Sequence, residues 1–261
     1  MSKIRLSIIL ATLILLFSAS PSLAKTESEE AIAKAVSQAI SGLKWRGVGP
    51  ALMGGRIADI AVSPKDKSTW YVAVGSGGLW KTINRGTTWT PIFDSQKSYS
   101  IGTVTIDPNN SDVIWVGTGE NVSGRHVAWG DGVYKSKDGG QTWQSMGLEQ
   151  SEHIGKILID PRNSDVVFVA AEGPLWSAGG ERGLYKSTDG GDSWQAVLEI
   201  DKNTGVTDIE FDPSNPDTLY AAAYQRQRQT WSFLAGGPNS GIYKSTDNGE
   251  SWNQVKTGLP Q

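Results

Sequence analysis

The sequence contains no cysteine, and His126 and His153 are its only histidines. The absence of cysteine excludes disulfide bonds and thiolate ligands for a metal. Two histidines without cysteine partners give little support to a metal site, so we expect no metal and no cofactor. No glycine-rich phosphate loop leads into a helix, which argues against nucleotide binding.

Positive charge is also scarce. Lysine and arginine number 24 against 27 aspartate and glutamate residues, which gives a formal net charge of −3. A mildly acidic chain without a basic run is not typical of proteins that bind nucleic acid or anionic membrane surfaces. We therefore expect a peptide, protein or glycan ligand and no nucleic acid, while the oligomeric state stays open.

Long apolar runs are missing apart from Ile8–Phe17, a stretch of ten residues. This run is too short to span a bilayer as a helix, which needs about 20 residues. Basic Lys3 and Arg5 precede it and small residues at 22–24 follow it, the pattern of a secretory signal peptide over 1–24. Export without disulfides is typical of a bacterial periplasmic or secreted protein, with no membrane insertion once the signal is removed.

The next segment, 25–44, differs from the rest of the chain. Its apolar residues recur at helical spacing, at Ile32, Val36, Ile40 and Leu43, behind a start rich in glutamate. This spacing predicts a short amphipathic helix that packs on the main domain or serves as a linker.

The main domain, 45–261, is organised by an eight-residue box that ends in tryptophan. The copies are SKDGGQTW at Ser136–Trp143, STDGGDSW at Ser187–Trp194 and STDNGESW at Ser245–Trp252, with a worn copy, TINRGTTW, at Thr82–Trp89. Asp-Gly-Gly and Asp-Asn-Gly predict a tight turn that needs positive φ, and the Asp side chain accepts hydrogen bonds from its own turn. We expect a structural role for Asn84, Trp89, Asp138, Trp143, Asp189, Trp194, Asp247 and Trp252.

Each box belongs to a repeat of four short strands. An alternating strand that ends in a proline turn comes first, followed by a second apolar strand, then a Gly-aliphatic-aromatic-Lys strand, and finally a strand after the box tryptophan. The tryptophans are 54, 51 and 58 residues apart. Four-stranded antiparallel repeats of this length are typical of β-propeller blades, so we predict an all-β propeller.

The boxes resemble the Asp-box, or BNR, repeats of sialidases, sortilin-type (Vps10) receptors, xyloglucan-cleaving tandem propellers and a photosystem II assembly factor. The resemblance covers Trp45 to Leu259. It is greatest to large exported bacterial proteins with sortilin-like BNR propellers, which are often labelled glycosyl hydrolases. The resemblance implies a propeller fold and says little about activity.

The number of blades is the next question. Trp45–Val48 resembles the strand that follows a box tryptophan, but no blade precedes it. The last blade, in contrast, already has its own fourth strand at Trp252–Lys256. This arrangement predicts that the four blades are part of a larger propeller of six to eight blades, with a genuinely four-bladed propeller as the alternative.

The loops between the second and third strands differ most between repeats: 75–77, 120–131, 172–182 and 225–240. Variable loops on a constant scaffold are where propellers bind ligands. The candidate ligand-binding residues are Arg125, His126, Trp129, Trp176, Arg182, Arg226, Arg228 and Trp231, and we expect most of them to converge on one rim. The alternatives are that the tryptophans cover their own loops and that the arginines are merely solvated.

An enzyme would need two carboxylates across the scissile bond. Glu120 and Glu172 end equivalent second strands and are weak candidates for such a pair. The xyloglucan-cleaving relatives carry an acid just before the Gly-Gly that opens the third strand, but this sequence has none in 75–78. A sialidase Arg-Ile-Pro signature is only half matched, at Arg56.

Two functions remain open on the sequence alone. The first is an exported β-propeller that acts as a binding or scaffold module for peptide or glycan. The alternative is a glycoside hydrolase whose catalytic acids lie partly outside this chain. Whether the protein is an enzyme is not fixed, and the sequence leans against it.

Overall fold

The computed structural model describes residues 21–42 and 55–258. Most of the predicted signal peptide and the strand predicted at Trp45–Val48 lie outside the described residues. Helix α1 spans Pro21–Ile40, so it begins four residues before the predicted helix. Proline suits the first turn of a helix, and Gly42 follows its end. No helix in the described ranges is long and apolar enough to cross a membrane.

In the second half of α1, 31–40, the apolar side chains do not form a buried stripe. Ile32, Val36 and Ile40 are each more than half exposed. The helix that the spacing predicts is therefore present.

Residues 55–258 form four antiparallel sheets, three of four strands and one of five, each built from one continuous stretch of chain. The first contains β1 (Ile57–Val62), β2 (Trp70–Val74), β3 (Gly78–Thr82) and β4 (Thr90–Pro91). The second contains β5 (Ile101–Ile106), β6 (Ile114–Thr118), β7 (Val133–Ser136) and β8 (Gln144–Ser145). The third contains β9 (Ile154–Ile159), β10 (Val167–Ala171), β11 (Gly183–Ser187) and β12 (Gln195–Leu198), preceded by a 3₁₀ helix at Glu149–Ser151. The fourth contains β13 (Thr204–Asp212), β14 (Asn215–Arg228), β16 (Gly241–Ser245) and β17 (Asn253–Gln254), with β15 (Phe233–Ala235) paired to β14.

The hydrophobic core lies between the blades. One buried cluster joins blades one and two, a second joins blades two and three, and a third joins blades three and four. The inner strands approach one another closely where glycine faces the neighbour: a Cβ on Gly102 would lie 2.2 Å from the carbonyl oxygen of Ile154. Each blade is therefore stabilised by its neighbours, and the predicted all-β propeller architecture is confirmed.

The first and last blades each expose a face that the inner blades bury. Ile60 is 54% exposed, whereas its counterpart Ile157 in the third blade is fully buried. At the other end, Tyr220 is 37% exposed, whereas its counterparts Trp115 and Phe168 are fully buried. Part of a larger propeller would bury both faces, and that larger propeller stays a prediction.

The box turns adopt the conformation that the sequence predicts. In the third box, Ser187 Oγ donates to Asp189 Oδ1 at 2.7 Å and accepts from the amide of Gly191 at 2.8 Å. The amide of Ser193 donates to Asp189 Oδ1 at 2.9 Å. Gly190 and Gly191 have φ of 72° and 97°, the left-handed region that favours glycine.

The box tryptophans also connect blades. Trp143 Nε1 donates to the carbonyl oxygen of Ile92 in the preceding blade at 2.8 Å. Trp194 Nε1 makes the same bond to Met146 at 2.6 Å. The structural role predicted for Trp143 and Trp194 therefore includes linking successive blades.

The fourth blade departs from the predicted pattern. The segment 225–240 is not one loop, because β14 continues to Arg228 and pairs with β15. Arg226 faces Ala235 and Arg228 faces Phe233 in this pairing. The expectation of a loop from Gln225 is thus wrong for its first half, which is a β-hairpin.

Candidate functional site

The edge of the sheets opposite the boxes is called the loop rim below. It carries the connections from second to third strands, at 119–132, 172–182 and the hairpin 225–240, together with the link from blade one to blade two, 92–100. The four box turns lie at the other edge, called the box side.

The loops of three blades meet at the loop rim. Arg228 Nε donates to the carbonyl oxygen of Ser123 at 2.9 Å, and the Arg228 amide donates to Leu175 at 2.8 Å. Arg125 Nη2 reaches the carbonyl oxygen of Thr230 at 3.3 Å. Arg125 and Arg228 therefore hold the second-blade and third-blade loops against the fourth-blade hairpin.

Arg182 is buried and stabilises its own loop. Its guanidinium donates to the carbonyl oxygens of Pro174 at 2.6 Å and Glu172 at 2.7 Å. Burial lowers the pKa of Arg182 to about 10, and the neighbouring Arg226 acts in the same direction. This burial corrects the expectation that Arg182 lines an open binding surface.

Arg226 is buried as well, with only 1% of its side chain exposed. Its Nη1 lies 2.8 Å from Glu172 Oε2 and donates to the carbonyl oxygen of Val122 at 3.3 Å. Among the described residues, its Nε and Nη2 have no hydrogen-bond partner. Arg226 therefore anchors the rim from below, which likewise corrects its assignment as a surface ligand contact.

Glu172 forms the other half of this buried pair. Its side chain is 2% exposed, and burial raises its pKa to about 7 against the opposing effect of Arg226 and Arg182. Oε1 has no partner within the described part of the chain. A carboxyl with a pKa near 7 suits proton transfer, but this one has almost no surface for a substrate.

Glu120, the second weak catalytic candidate, is equally enclosed. Its carboxylate accepts from Arg56 Nε at 2.5 Å, and Arg56 Nη1 also donates to Nε2 of exposed His126 at 3.0 Å. The Glu120 carbonyl oxygen accepts from Nδ1 of buried His153 at 2.9 Å, and burial lowers the pKa of that imidazole to about 3. The polar groups below the rim are thus used to hold the loops.

The three loop tryptophans lie on the surface instead. Trp129 is 66% exposed, Trp176 39% and Trp231 80%, and Trp231 sits between β14 and β15. The rings of Trp129 and Trp231 therefore do not cover their own loops. They offer flat apolar faces to solvent above a hydrogen-bonded base.

The structure adds residues that the repeats do not single out. Tyr99 is 59% exposed and lies in the link between blades one and two, beside Lys97. Asp94 Oδ1 lies 3.7 Å from the position a Cβ on Gly78 would take. In the sequence, Tyr99 is an aromatic residue among polar residues, and this pattern is too common to identify a binding site.

The described residues contain no group of three or more histidine, aspartate or glutamate side chains that could hold a metal ion. The exposed rings and polar side chains of the rim can provide aromatic stacking and hydrogen bonds.

Comparisons with known proteins agree with this architecture. The family model described as sortilin, neurotensin receptor 3 (Sortilin-Vps10) matches residues 131–260. The chain is 25% identical over 219 residues to an oligoxyloglucan-reducing end-specific xyloglucanase from Emericella nidulans, over 77% of this chain and 24% of that protein. It is 24% identical over 253 residues to a xyloglucanase from Hypocrea jecorina, over 85% of this chain and 28% of that protein. The solved structure of an ancestral GH74 enzyme aligns with a TM-score of 0.61 and 22% identity, over 78% of this chain and 26% of that one.

The chain has a β-propeller fold, and its residues 131–260 are similar to the sortilin-type family model. The predicted resemblance to sortilin-type repeats is confirmed over 131–260, and glycoside hydrolases are among the proteins similar to the chain. The chain spans about a quarter of the length of the curated relatives it matches.

Proposed function

We propose that this chain is a glycan-binding propeller module of an exported protein of the glycoside-hydrolase type, and that its loop rim recognises xyloglucan-type polysaccharide. The observation that carries the proposal is the set of exposed indole rings on loops fixed by buried arginines. The names of the similar proteins, xyloglucanases, supply the substrate class.

Sugar rings present a C–H face and a rim of hydroxyl groups. Exposed tryptophan rings suit the C–H face of a sugar, since they provide rigid, flat, amphipathic contact area. The bonds that Arg228 and Arg182 make to loop carbonyls order these loops before a ligand arrives. Such preorganisation lowers the entropy cost of binding.

Hydrolysis by the described residues has less support. Glycosidases place two carboxyl groups about 5–10 Å apart, across a bond that both must reach. Glu120 and Glu172 are each 2% exposed. The alternative is a hydrolase whose catalytic acids lie partly outside this chain. The raised pKa of Glu172 and the names of the similar proteins are the observations that support it.

A peptide ligand is the second alternative, suggested by the sortilin-type match over 131–260. The glycan is favoured because three indole rings are exposed at the rim, and the exposed charges beside them, among them Asp94, Lys97 and Arg125, are of both signs and not a cluster of one sign. The N-terminal sequence supports export, and the mature chain is then expected to begin at Lys25.

Affinity electrophoresis in gels containing xyloglucan tests the proposal, beside thermal melts. The wild-type chain should be retarded, and Trp176→Ala with Trp231→Ala should weaken binding by about tenfold or more. Trp89→Ala is the matched control, because Trp89 is 38% exposed and lies on the box side. It should leave retardation unchanged.

Three outcomes count against the proposal. Absence of retardation by xyloglucan would overturn it, and binding of peptides alone would favour the sortilin-like alternative. Release of reducing ends from xyloglucan by this chain would establish the hydrolase alternative instead.

A further inference from the structure

Two clefts lie side by side at the loop rim where blade one meets blade two. The first, about 390 Å³, is lined by residues that include Gly77, Asp94 and Gln96. The second, about 310 Å³, is lined by residues that include Trp129 and Asp131. Both clefts share the segment Lys97–Tyr99, so the two form one groove divided by that segment.

The backbone on each side of the groove is fixed by one buried serine. Ser100 Oγ lies 2.7 Å from the carbonyl oxygen of Gly75 and 2.8 Å from that of Ala128, donates its one proton between them, and accepts from the Glu120 amide at 3.0 Å. Ser100 follows Tyr99 in the chain, and Ala128 precedes Trp129. The same side chain therefore links the segments that carry both exposed rings.

Further backbone bonds hold the rings in place. The carbonyl oxygen of Tyr99 accepts from the Gly78 amide at 2.8 Å, and the Gly130 amide donates to Glu152 at 2.7 Å. Tyr99 and Trp129 nevertheless keep more than half of their side-chain surface exposed. Two ordered backbones with open rings are an arrangement that suits stacking on a ligand.

The polar side chains around the groove are either without a partner in the described residues or held in position by a neighbouring side chain. Within the described residues, Asp94 and Lys97 make no side-chain hydrogen bond or ion pair. The Asp131 carboxylate is held by the Tyr134 hydroxyl at 2.5 Å. Charges of both signs beside aromatic rings suit a neutral ligand with many hydroxyl groups, whereas a phosphate or acidic peptide would require a cluster of cations.

We propose that this divided groove is a glycan subsite in which Tyr99 and Trp129 stack on sugar units of one glycan chain, while Asp94, Gln96 and Asp131 bind its hydroxyl groups. The proposal rests on the glycan-binding function above and assigns it to residues outside the predicted loops, apart from Trp129 and Asp131. The volumes lie at the lower end of the range for ligand sites, about 300–1,000 Å³, so each cleft suits a short stretch of chain.

Isothermal titration with short xyloglucan oligosaccharides tests the groove. Tyr99→Ala should weaken binding by about tenfold, since truncating a stacked aromatic anchor removes a large share of the affinity. Tyr99→Phe keeps the ring and should bind nearly as the wild type does. Tyr220→Ala makes the same change on the exposed face of the fourth blade and should leave affinity unchanged.

The outcomes separate this groove from the function on which it rests. If the wild type binds and Tyr99→Ala binds equally well, the groove is overturned and glycan binding stands. If the wild type does not bind xyloglucan oligosaccharides, both proposals fail. Loss of affinity in Tyr99→Ala together with a lower melting temperature than Tyr99→Phe would assign the ring to stability and overturn the subsite.

Discussion

The ammonium group of Lys135 donates to the carbonyl oxygen of Gly190 at 2.8 Å, and so ties the third strand of the second blade to the box turn of the third. It also lies 4.6 Å from the ring centre of Trp115 in its own blade. The box-preceding lysine is therefore an inter-blade clamp, built from a cation–π contact and a charge-assisted hydrogen bond.

The clamp recurs along the propeller. Lys81 reaches Gly139 and Lys186 reaches Asn248, each at 2.8 Å. Lys244 lies 5.3 Å from the ring centre of Tyr220 but has no box carbonyl to bind among the described residues. The box and the lysine that precedes it therefore form a turn and also link successive blades.

Lys135→Met should lower the free energy of unfolding by about 1–3 kcal/mol, because the Gly190 carbonyl loses a charge-assisted partner and stays buried. Lys244→Met changes the same kind of side chain without such a bond, so it should cost about 0.5 kcal/mol or less. Urea denaturation of both variants measures the difference. Equal losses would contradict the clamp.

The box aspartates should make stability fall in acid. Hydrogen bonds from the Ser193 and Ser187 side chains and the Ser193 amide lower the pKa of Asp189 from 3.8 to about 2. A carboxyl with a depressed folded-state pKa stabilises the fold above its unfolded pKa, and this contribution disappears as pH falls from about 4 to about 2. Hydrogen bonds within their own boxes likewise lower the pKa values of Asp138 and Asp247 to about 2.

Thermal melts at pH values from about 5 to about 2 measure this acid-dependent loss of stability. Asp189→Asn should melt at a lower temperature than the wild type at neutral pH and show a shallower acid dependence. Asn occupies the equivalent position at Asn84, where its Oδ1 accepts from the Thr88 amide at 2.9 Å, so the variant should still fold. An unchanged acid profile would contradict the turn assignment.

The buried carboxyl of Glu172 should act in the opposite direction. Its pKa is raised from 4.5 to about 7 by burial, so the unfolded chain ionises first as pH rises. Stability should therefore decrease from pH about 4.5 to about 7 and then level off. The Glu172→Gln variant should lose this slope.

Because Gln is neutral like the protonated carboxyl, the form that the raised pKa favours in the fold, that variant should be no less stable than the wild type at neutral pH. Denaturation at several pH values follows both effects. A slope that persists in Glu172→Gln would assign the titration to another group.

The sequence predicts the repeated parts of this molecule well and the loop rim poorly. The box turns and the four strands of each blade follow from local chemistry that recurs four times, so each copy supports the others. Arg226 has no counterpart in the other repeats, and its burial depends on where Val122 and Glu172 lie in space. The pairing of β14 with β15 and the meeting of Tyr99 with Trp129 likewise depend on non-local contacts.

Hydrogen–deuterium exchange with and without xyloglucan oligosaccharide tests the central claim most directly, because it locates binding along the whole chain. Added oligosaccharide should slow exchange in peptides from the loop rim, 92–100, 119–132, 172–182 and 225–240. Exchange should not change in the box turns 137–143, 188–193 and 246–251. Unchanged exchange at the rim, or protection confined to the box side, would contradict glycan recognition by these loops.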